Sequence, residues 1–419
     1  MSQNTFEKNS LVNPPAASAS PARQHVMLHE VRPAPIMVRG AGSWLWDAEG
    51  NRYLDFVQGW AVNALGHAPL VLRRALTQQA RALINASPAL LNDQQIALCA
   101  TLAAAAGMHQ VFLASTGAEA NEGAVKLARK WGRLHRGGAH KVITTAGSFH
   151  GRTLAMMAAS GKPGWDELFP PKVPGFVKVP YGDVDAVAAA IDEQTAAVMI
   201  EPIQGEAGVV VPPAGYLRDL RALTRAKGVL FICDEVQTGI GRTGSLFAWQ
   251  SETDARPDIM TLGKGLGGGV PLAAVVASAE ASCFAPGEQG STYTGTPLMA
   301  AVGRAVLGAV TAPGFLARVQ RRGDQLRAGL ADLTVRFPGA SARGRGLLWA
   351  LALPQPCAEA VVTRARETEG LLLNAPRPNL LRFMPALTVK ADEIALMLAA
   401  LARVLSATMT GGEASTKRP

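Results

Sequence analysis

Cysteine is scarce in this chain, and its placement argues against both common structural uses of the residue. The 419 residues contain four cysteines, Cys99, Cys233, Cys283 and Cys357. No two of them have the close spacing that is typical of zinc sites or of the disulfide frameworks of small secreted proteins. The sequence therefore predicts no metal site and a location in a reducing compartment, the cytoplasm.

Long apolar runs and a secretory signal are absent as well. No run approaches the roughly 18 apolar residues that a membrane-spanning helix requires. Residues 1–25 are polar, rich in Pro, Ala and Ser, and lack the apolar central segment of a signal peptide. Because such a composition buries too little apolar surface, we expect a disordered tail over 1–25, and a second flexible tail over the Gly- and Ser-containing residues 408–419. No membrane partner is predicted.

Charged residues make up only 17% of the chain, with a formal net charge of +9. A basic excess can indicate a nucleic-acid-binding protein. Here, however, the basic residues are spread along the chain, with one local concentration between residues 318 and 345, and aromatic residues amount to 5%. Such a dispersed positive field favours anionic small molecules such as phosphates and dicarboxylates. We therefore expect no nucleic-acid partner.

The order of apolar segments predicts an α/β fold. Two aromatic-rich runs around residues 47–51 predict a β-hairpin, and a helix is expected over 70–84. Beyond it, short apolar runs alternate with amphipathic helical segments, a pattern typical of βαβ units with a parallel sheet. The strands predicted for this sheet are 111–114, 141–144, 177–179, 197–200, 230–234 and 273–278. From residue 318 the pattern changes to a separate α+β unit, with strands at 347–353, 371–374 and 380–383 and a final helix over 391–405.

One acidic residue and one lysine are expected to meet at an edge of this sheet. Asp234 ends the buried run 230–234, and Lys264 stands between glycines in a later loop. Ligands of open α/β sheets bind at the carboxyl ends of the strands, where both side chains would lie. A carboxylate and an amine there suit pyridoxal phosphate chemistry. Most lysines are solvated and most Asp-Glu pairs cap or turn, so this spacing alone leaves both interpretations open.

A second pattern concerns the loop between the strand 111–114 and a helix predicted over 119–131. Its small residues, 115–118, leave backbone N–H groups free at the start of the helix, which suits a phosphate group. The alternative is an ordinary helix N-cap by Ser115 or Thr116. From the residues alone, both interpretations stay open.

Nine motifs, taken together and in order, resemble those of the class III (ω-) aminotransferases of the fold-type I pyridoxal phosphate enzymes. The resemblance covers residues 39–405 and is strongest to the acetylornithine aminotransferases, with the ornithine aminotransferases as near relatives. The motifs are ALGH at 64–67, STGAEAN at 115–121, FHGRT at 149–153, EPIQGEAGV at 201–209, DEVQTGIGRTG at 234–244, LGKGLGGG at 262–269, GSTYTG at 290–295, RGRGLL at 343–348 and LRFMPAL at 381–387.

The resemblance implies a large domain with a mainly parallel seven-stranded sheet plus a smaller α+β domain. The implied boundaries are 26–69 for an N-terminal segment packing with the small domain, 70–304 for the large domain that binds pyridoxal phosphate, and 305–407 for the small domain. These boundaries place ALGH in the N-terminal segment, the next six motifs in the large domain and the last two in the small domain.

The resemblance also implies pyridoxal 5'-phosphate as cofactor. The residues expected to bind it are Gly117, Ala118, Phe149, Asp234, Glu235, Val236, Gln237, Lys264 and Thr292. Lys264 looks like the catalytic lysine, which binds the cofactor covalently and carries the substrate proton. Asp234 would keep the ring nitrogen protonated, Gln237 would bond the phenolic oxygen, and Phe149 would stack on the ring.

The remaining cofactor contacts imply a second subunit. In the family pattern, the backbone amides of Gly117 and Ala118 bind the phosphate. Thr292 adds a hydroxyl group from the other subunit. The resemblance therefore implies a homodimer with shared active sites.

The substrate-binding residues implied by the resemblance are Trp60, Arg152, Glu206, Ser291 and Arg382. Arg152 and Arg382 look like bidentate carboxylate ligands. Glu206 would hold Arg382 aside when an ω-amino substrate is bound. From the residues alone, Arg382 could equally lie on an exposed strand and Glu206 could cap a loop.

The implied reaction transfers the terminal amine of N2-acetylornithine to 2-oxoglutarate, giving N-acetylglutamate 5-semialdehyde and glutamate. Three departures from the family pattern put the donor in doubt. Trp60 replaces a smaller aliphatic residue or a tyrosine, and Thr294 and Thr296 replace Gly and Asn. Succinylornithine, ornithine, 4-aminobutyrate or a secondary-metabolite amine are the alternative donors, and a racemase of the same fold is the alternative enzyme.

Overall fold

The computed structural model describes Met27 and residues 35–409. The tail predicted over 1–25 lies outside these residues, as does the C-terminal tail from residue 410 onward. Residues 408 and 409 belong to the last helix, which ends at Met409 and is longer than predicted. No glycine interrupts the sequence before residues 411 and 412, so nothing in the predicted helix required it to end at 405.

The first described strands form the predicted hairpin. They are β1 (Met37–Ala41), β2 (Trp44–Asp47) and β3 (Arg52–Asp55), each antiparallel to the next. The Asp47 carboxylate stabilises the turn because its Oδ1 accepts hydrogen bonds from the backbone N–H groups of Glu49, at 3.1 Å, and Asn51, at 2.8 Å. This is the usual way in which a short acidic side chain replaces missing backbone hydrogen bonds in a turn.

Seven strands form the central sheet of the molecule. They are β4 (Gln110–Ala114), β5 (Lys141–Thr145), β6 (Phe176–Val179), β7 (Thr195–Ile200), β8 (Leu230–Asp234), β9 (Ile259–Leu262) and β10 (Ala273–Ala277). Their order in the sheet is β4-β10-β9-β8-β7-β5-β6. Every neighbouring pair is parallel except those of β10, which runs antiparallel to β4 and to β9. The mainly parallel seven-stranded sheet is therefore confirmed.

Strand β9 lies outside the predicted strands. It has only four residues between Asp258 and Gly263, so its sequence signal is short. Its pairing with β8 and β10 stabilises the strand, which is a tertiary effect that local sequence does not contain. The strand matters for the site because it brings Lys264 to the same sheet edge as Asp234.

Helices cover both faces of the sheet and make up much of the remainder. They are α1 (Gln58–Ala61), α2 (Leu70–Ala82), α3 (Asp93–Ala106), α4 (Gly117–His135), α5 (Leu154–Ala159), α6 (Val184–Ala190), α7 (Tyr216–Lys227), α8 (Pro297–Val310), α9 (Phe315–Arg336), α10 (Ala358–Glu369) and α11 (Ala391–Met409). The single turn α1 is left-handed, with φ of 62° at Trp60.

A smaller sheet follows helix α9. It contains β11 (Ser341–Arg345), β12 (Leu348–Ala352), β14 (Asn374–Arg377) and β15 (Leu380–Phe383) in the order β11-β12-β15-β14. The two-residue strand β13 (Leu371–Leu372) leaves this unit and pairs in parallel with β3. The N-terminal hairpin thus shares a sheet with the C-terminal part of the chain, whereas the domain boundaries given above stay predictions.

The two central strands are buried on both faces, and this explains their unbroken apolar sequence. All residues of β7 and β8 are buried. One face of these strands, including Met199 and Ile232, packs in the same cluster as α4. The other face, including Ile200 and Phe231, packs with α7. Each such side chain contributes about 1.5–3 kcal/mol, so the strand that carries Asp234 is firmly held.

No single helix among the described residues has the length and apolar character needed to cross a membrane. The consecutive helices Pro297–Val310 and Phe315–Arg336 are long and apolar enough only when taken together, and they are bent by 70° relative to each other.

Candidate functional site

A cavity of about 500 Å³ opens at the carboxyl ends of the central strands. Its wall is made of Thr116, Gly117, Ala118, Asn121, Phe149, His150, Gly151, Arg152, Thr153, Glu201, Glu206, Asp234, Val236, Gln237 and Lys264. These residues come from five of the nine motifs and follow β4, β5, β7, β8 and β9. The cavity therefore lies where ligands of open α/β sheets bind.

Asp234 is held by a network of hydrogen bonds. Its Oδ2 accepts from Asn121 Nδ2 at 2.7 Å and lies 2.8 Å from His150 Nδ1, while its Oδ1 accepts from the Val236 N–H at 3.0 Å. Thr261 Oγ1 donates to Asn121 Oδ1 at 2.7 Å, which fixes the orientation of the Asn121 amide. The side chain is 3% exposed, and these hydrogen bonds fix the orientation in which its carboxylate faces the cavity.

Lys264 is enclosed by the same cavity. Its φ of 41° lies in the left-handed region, which is strained for a residue with a side chain. Burial lowers the pKa of its amine, the charge of Glu206 opposes this, and the charge of Arg382 lowers the pKa further. The described residues offer the Lys264 side-chain amine no hydrogen bond or ion pair. The geometry thus provides an amine with a lowered pKa that is free to react.

The N-terminus of α4 forms another part of the wall. Thr116 is the N-cap: its Oγ1 accepts from the Glu119 N–H at 3.2 Å, and Glu119 Oε2 accepts from the Thr116 N–H at 3.1 Å. This cap explains why α4 begins two residues before the predicted start. The first amides of a helix have no intrahelical partner. Those of Gly117 and Ala118 therefore could still hold an anion, so the cap and the phosphate hypothesis are compatible.

Arg382 lies next to the wall residue Glu206 but does not itself line the cavity. It is fully buried, so the exposed-strand alternative is wrong. Its Nη1 donates to Glu206 Oε1 at 2.6 Å and to the Gly205 carbonyl at 3.0 Å, and its Nε donates to Asn374 Oδ1 at 2.9 Å. Its Nη2 has no partner among the described residues. Burial raises the pKa of Glu206, but Arg382, with Lys264, outweighs this and holds the pKa below its ordinary value.

Unpaired polar atoms on the wall indicate a polar ligand. Gln237 Oε1 and Nε2 and His150 Nε2 are buried without partners among the described residues. Such atoms are costly unless something hydrogen-bonds them. The donor set therefore fits pyridoxal phosphate: free helix amides for a phosphate, a carboxylate for a ring nitrogen, an unpaired amide for an oxygen, and an amine.

Five predicted site residues do not line this cavity, and Arg382, described above, is one of them. Glu235 lies behind it, and its carboxylate accepts from Thr238 Oγ1 at 2.6 Å and from the Trp249 N–H at 2.8 Å. Trp60 is 41% exposed. Ser291 and Thr292 lie in a polar loop before α8, outside the cavity wall.

Several wall residues were missed by the sequence predictions. Asn121 and His150 lie inside quoted motifs, STGAEAN and FHGRT, so position within a motif was the signal that could have found them. Glu201 begins the motif EPIQGEAGV, and its Oε1 accepts from the Phe149 N–H at 2.9 Å. Thr261 is not a wall residue but holds Asn121 from the missed strand β9, and no sequence signal marks it.

The buried Glu235 predicts a pH dependence of stability. Burial raises its pKa from 4.5 to about 7. Between these pH values the folded chain holds a proton that the unfolded chain has lost, so unfolding becomes easier as pH rises. One pKa unit corresponds to 1.36 kcal/mol, so the free energy of unfolding should fall by about 3 kcal/mol over this pH range. We expect Glu235→Gln to abolish that fall. Urea unfolding of both proteins at several pH values measures it. Parallel stability curves for the two proteins would contradict the prediction.

Comparison with known protein families gives one match over most of the chain. The family model described as "Aminotransferase class-III" matches residues 26–405. Among solved structures, the ornithine aminotransferase of Toxoplasma gondii ME49 is similar with a TM-score of 0.89 and 35% identity, covering 93% of this chain and 94% of that one. The acetylornithine aminotransferase of Elizabethkingia anophelis has a TM-score of 0.81 and 33% identity, covering 92% and 97%.

Curated relatives are more similar in sequence. Acetylornithine aminotransferase 2 of Bordetella pertussis is 56% identical over 378 residues, covering 90% of this chain and 95% of the relative. Acetylornithine aminotransferase of Ralstonia nicotianae is 53% identical over 390 residues, covering 92% and 98%. The similarity therefore extends over nearly the whole described chain.

Proposed function

Because the chain belongs to the class III aminotransferase family and is a pyridoxal 5'-phosphate-dependent enzyme, we propose that it uses N2-acetylornithine as amine donor and 2-oxoglutarate as acceptor. The products would be N-acetylglutamate 5-semialdehyde and glutamate, as in arginine biosynthesis. The observation that carries the donor is the 56% identity to an acetylornithine aminotransferase over 90% of this chain.

The residues of the cavity have distinct parts in this proposal. When bound, pyridoxal phosphate supplies an electron sink that stabilises negative charge on the substrate carbon bearing the nitrogen. Asp234 would hold a proton on the ring nitrogen, since its fixed charge favours the cationic form. Gly117 and Ala118 would bind the phosphate, Phe149 would stack on the ring, and Gln237 would bond its phenolic oxygen.

Lys264 would perform the proton transfers. Its amine is enclosed, its pKa is lowered by burial, and no described side chain pairs with it. A base with a pKa nearer to neutrality is unprotonated for a larger share of the time and accepts a proton readily. Lys264 Nζ would take the proton from the amine-bearing carbon and return it at the neighbouring position.

Arg152 and Arg382 would bind the substrate carboxylates in turn. Arg382 is paired with Glu206, and this pair would neutralise it while an ω-amino donor is bound. Displacing Glu206 would free Arg382 for the α-carboxylate of glutamate or 2-oxoglutarate. A single pocket would thereby accept two kinds of substrate.

Glu206→Ala tests this exchange. Without its partner, Arg382 is available to α-carboxylates at all times, so the half-reaction with glutamate should quicken roughly tenfold. The half-reaction with the ω-amino donor should slow, because an unpaired guanidinium then faces an uncharged part of the substrate. Single-turnover kinetics with each substrate measure both. Equal changes for the two substrates would rule out the exchange.

A homodimer is the proposed assembly. Apolar side chains in residues 83–96 are exposed, among them Leu90 at 63% and Leu91 at 79%. The loop with Ser291 and Thr292 lies beside them, because Asn92 Nδ2 donates to the Gly295 carbonyl at 2.9 Å. A second copy bound to this surface would cover the apolar residues. The loop of one subunit would then lie near the cavity of the other. Sedimentation velocity measures the assembly.

The four free cysteines support a reducing, cytoplasmic location.

A donor panel tests the substrate directly. Initial rates of glutamate formation would be compared for N2-acetylornithine, N2-succinylornithine, ornithine and 4-aminobutyrate at equal concentration. Ornithine is the second candidate, since the chain superposes on an ornithine aminotransferase with a TM-score of 0.89. A clear lead of ornithine or 4-aminobutyrate over N2-acetylornithine would refute the proposed donor. Product formation without any keto acid would instead indicate a racemase.

A further inference from the structure

Two cationic side chains lie against one buried indole beside the cavity. Arg152 Cζ lies 5.5 Å from the Trp165 ring centroid, and Lys162 Nζ lies 5.1 Å from it. Trp165 is 8% exposed and meets the Phe149 ring edge-on, with 5.4 Å between centroids. Because Phe149 and Arg152 line the cavity, the indole holds Lys162 at the cavity's border.

Neither of these cations has an acidic partner. The described residues place no carboxylate within ion-pair distance of Lys162 or Arg152. A nearby lysine of the same segment behaves differently, since Lys172 pairs with Asp166. Two like charges beside one ring repel each other, and an anion bound between or next to them removes that repulsion. The arrangement therefore favours an anionic ligand.

The charge of Lys162 also reaches the cavity. Burial raises the pKa of Glu206, but the positive charges of Arg382, Lys264 and Lys162, with the Arg382 hydrogen bond, hold it below its ordinary value. Glu206 is part of the cavity wall. Lys162 thus contributes to the field inside the site and is not simply a solvated surface charge.

We propose that Lys162 is a specificity-determining residue that binds, together with Arg152, the carboxylate at the non-reacting end of the substrate. It would favour dicarboxylate acceptors such as 2-oxoglutarate over monocarboxylates such as 2-oxobutyrate, which have no distal carboxylate. Trp165 supports both cations through its ring face and limits their motion. The inference rests on the proposed function in one respect, namely that the keto-acid acceptor binds in this cavity.

Lys162→Gln in the cofactor-loaded enzyme tests the proposal. The KM for 2-oxoglutarate and the inhibition constant of glutarate should both rise roughly tenfold, the loss expected for one charged hydrogen bond. The KM for 2-oxobutyrate and the inhibition constant of butyrate should stay within about twofold, since neither ligand reaches Lys162. Lys162→Arg should retain the preference because it retains the charge. Lys172→Gln is the matched control and should leave all four constants unchanged.

Two outcomes would overturn the inference. One is an equal change for dicarboxylates and monocarboxylates in Lys162→Gln, and the other is unchanged glutarate inhibition. Added salt should weaken glutarate inhibition more in the wild type than in Lys162→Gln, because a partly exposed charge is screened. Glutarate binding to the loaded enzyme can also be measured by calorimetry without turnover. If the donor panel shows that the enzyme prefers another amine, the test of Lys162 therefore remains valid.

Discussion

Lys264→Ala is expected to lower kcat by about 10⁴-fold, the upper range for loss of a positioned acid–base group. Lys264 is the lysine of the cavity wall, and no other lysine is among the described residues that line it. Alanine removes both the proton carrier and the amine that would bind the cofactor covalently. The remaining wall, including Asp234 and the α4 N-terminus, should still bind the cofactor noncovalently.

Borohydride reduction followed by peptide mass analysis separates these two roles. The wild type should retain the cofactor covalently on the peptide containing Lys264, and Lys264→Ala should lose it on denaturation. Lys141→Ala is the control, since Lys141 forms a surface ion pair with Asp192 at the start of β5. Identical visible spectra for the loaded wild type and Lys264→Ala would exclude the proposed role.

Asp234→Asn should lower kcat by about 10³-fold, comparable to removing a preorganised electrostatic group from an active site. Asparagine keeps the shape of the side chain, so the contacts with Asn121 and His150 change in polarity more than in position. Without a negative charge, the cofactor ring nitrogen would lose the partner that keeps it protonated. Cofactor affinity should fall as well, though the enzyme remains folded.

Steady-state kinetics at saturating cofactor, with the cofactor dissociation constant measured by fluorescence, test this prediction. Asp192→Asn removes an exposed carboxylate outside the cavity wall and provides the control. A kcat within tenfold of the wild type would show that catalysis does not depend on the charge of Asp234.

Much of the fold follows from local sequence patterns. The buried strands β7 and β8 are predicted because their residues are apolar on both faces, and the hairpin β2–β3 because aromatic runs flank a turn sequence. Strand β9 is absent from the prediction because four residues carry too little pattern. Its existence depends on the two neighbours that complete its hydrogen bonds.

The residues of the candidate site also fall into a part that the sequence predicts and a part that only the folded chain shows. Asp234 is predicted from its place at a strand end and Lys264 from its glycine-flanked loop, and the motifs of the family add Arg152, Glu206 and Arg382. The acidic neighbours Asp234 and Glu235 show what local sequence leaves open, because consecutive residues at a strand end point in different directions. Only the folded chain directs Asp234 into the cavity and Glu235 towards Thr238 and Trp249.

The sequence by itself determined the family, the cofactor class and most of the strand ends that carry the chemistry, because these depend on residue types in a fixed order. The tertiary structure decided which of those side chains meet. It buried Arg382 against Glu206 and placed Asn121 and His150 on Asp234. Partners separated by up to 176 positions along the chain come together only through packing, so no local pattern records them.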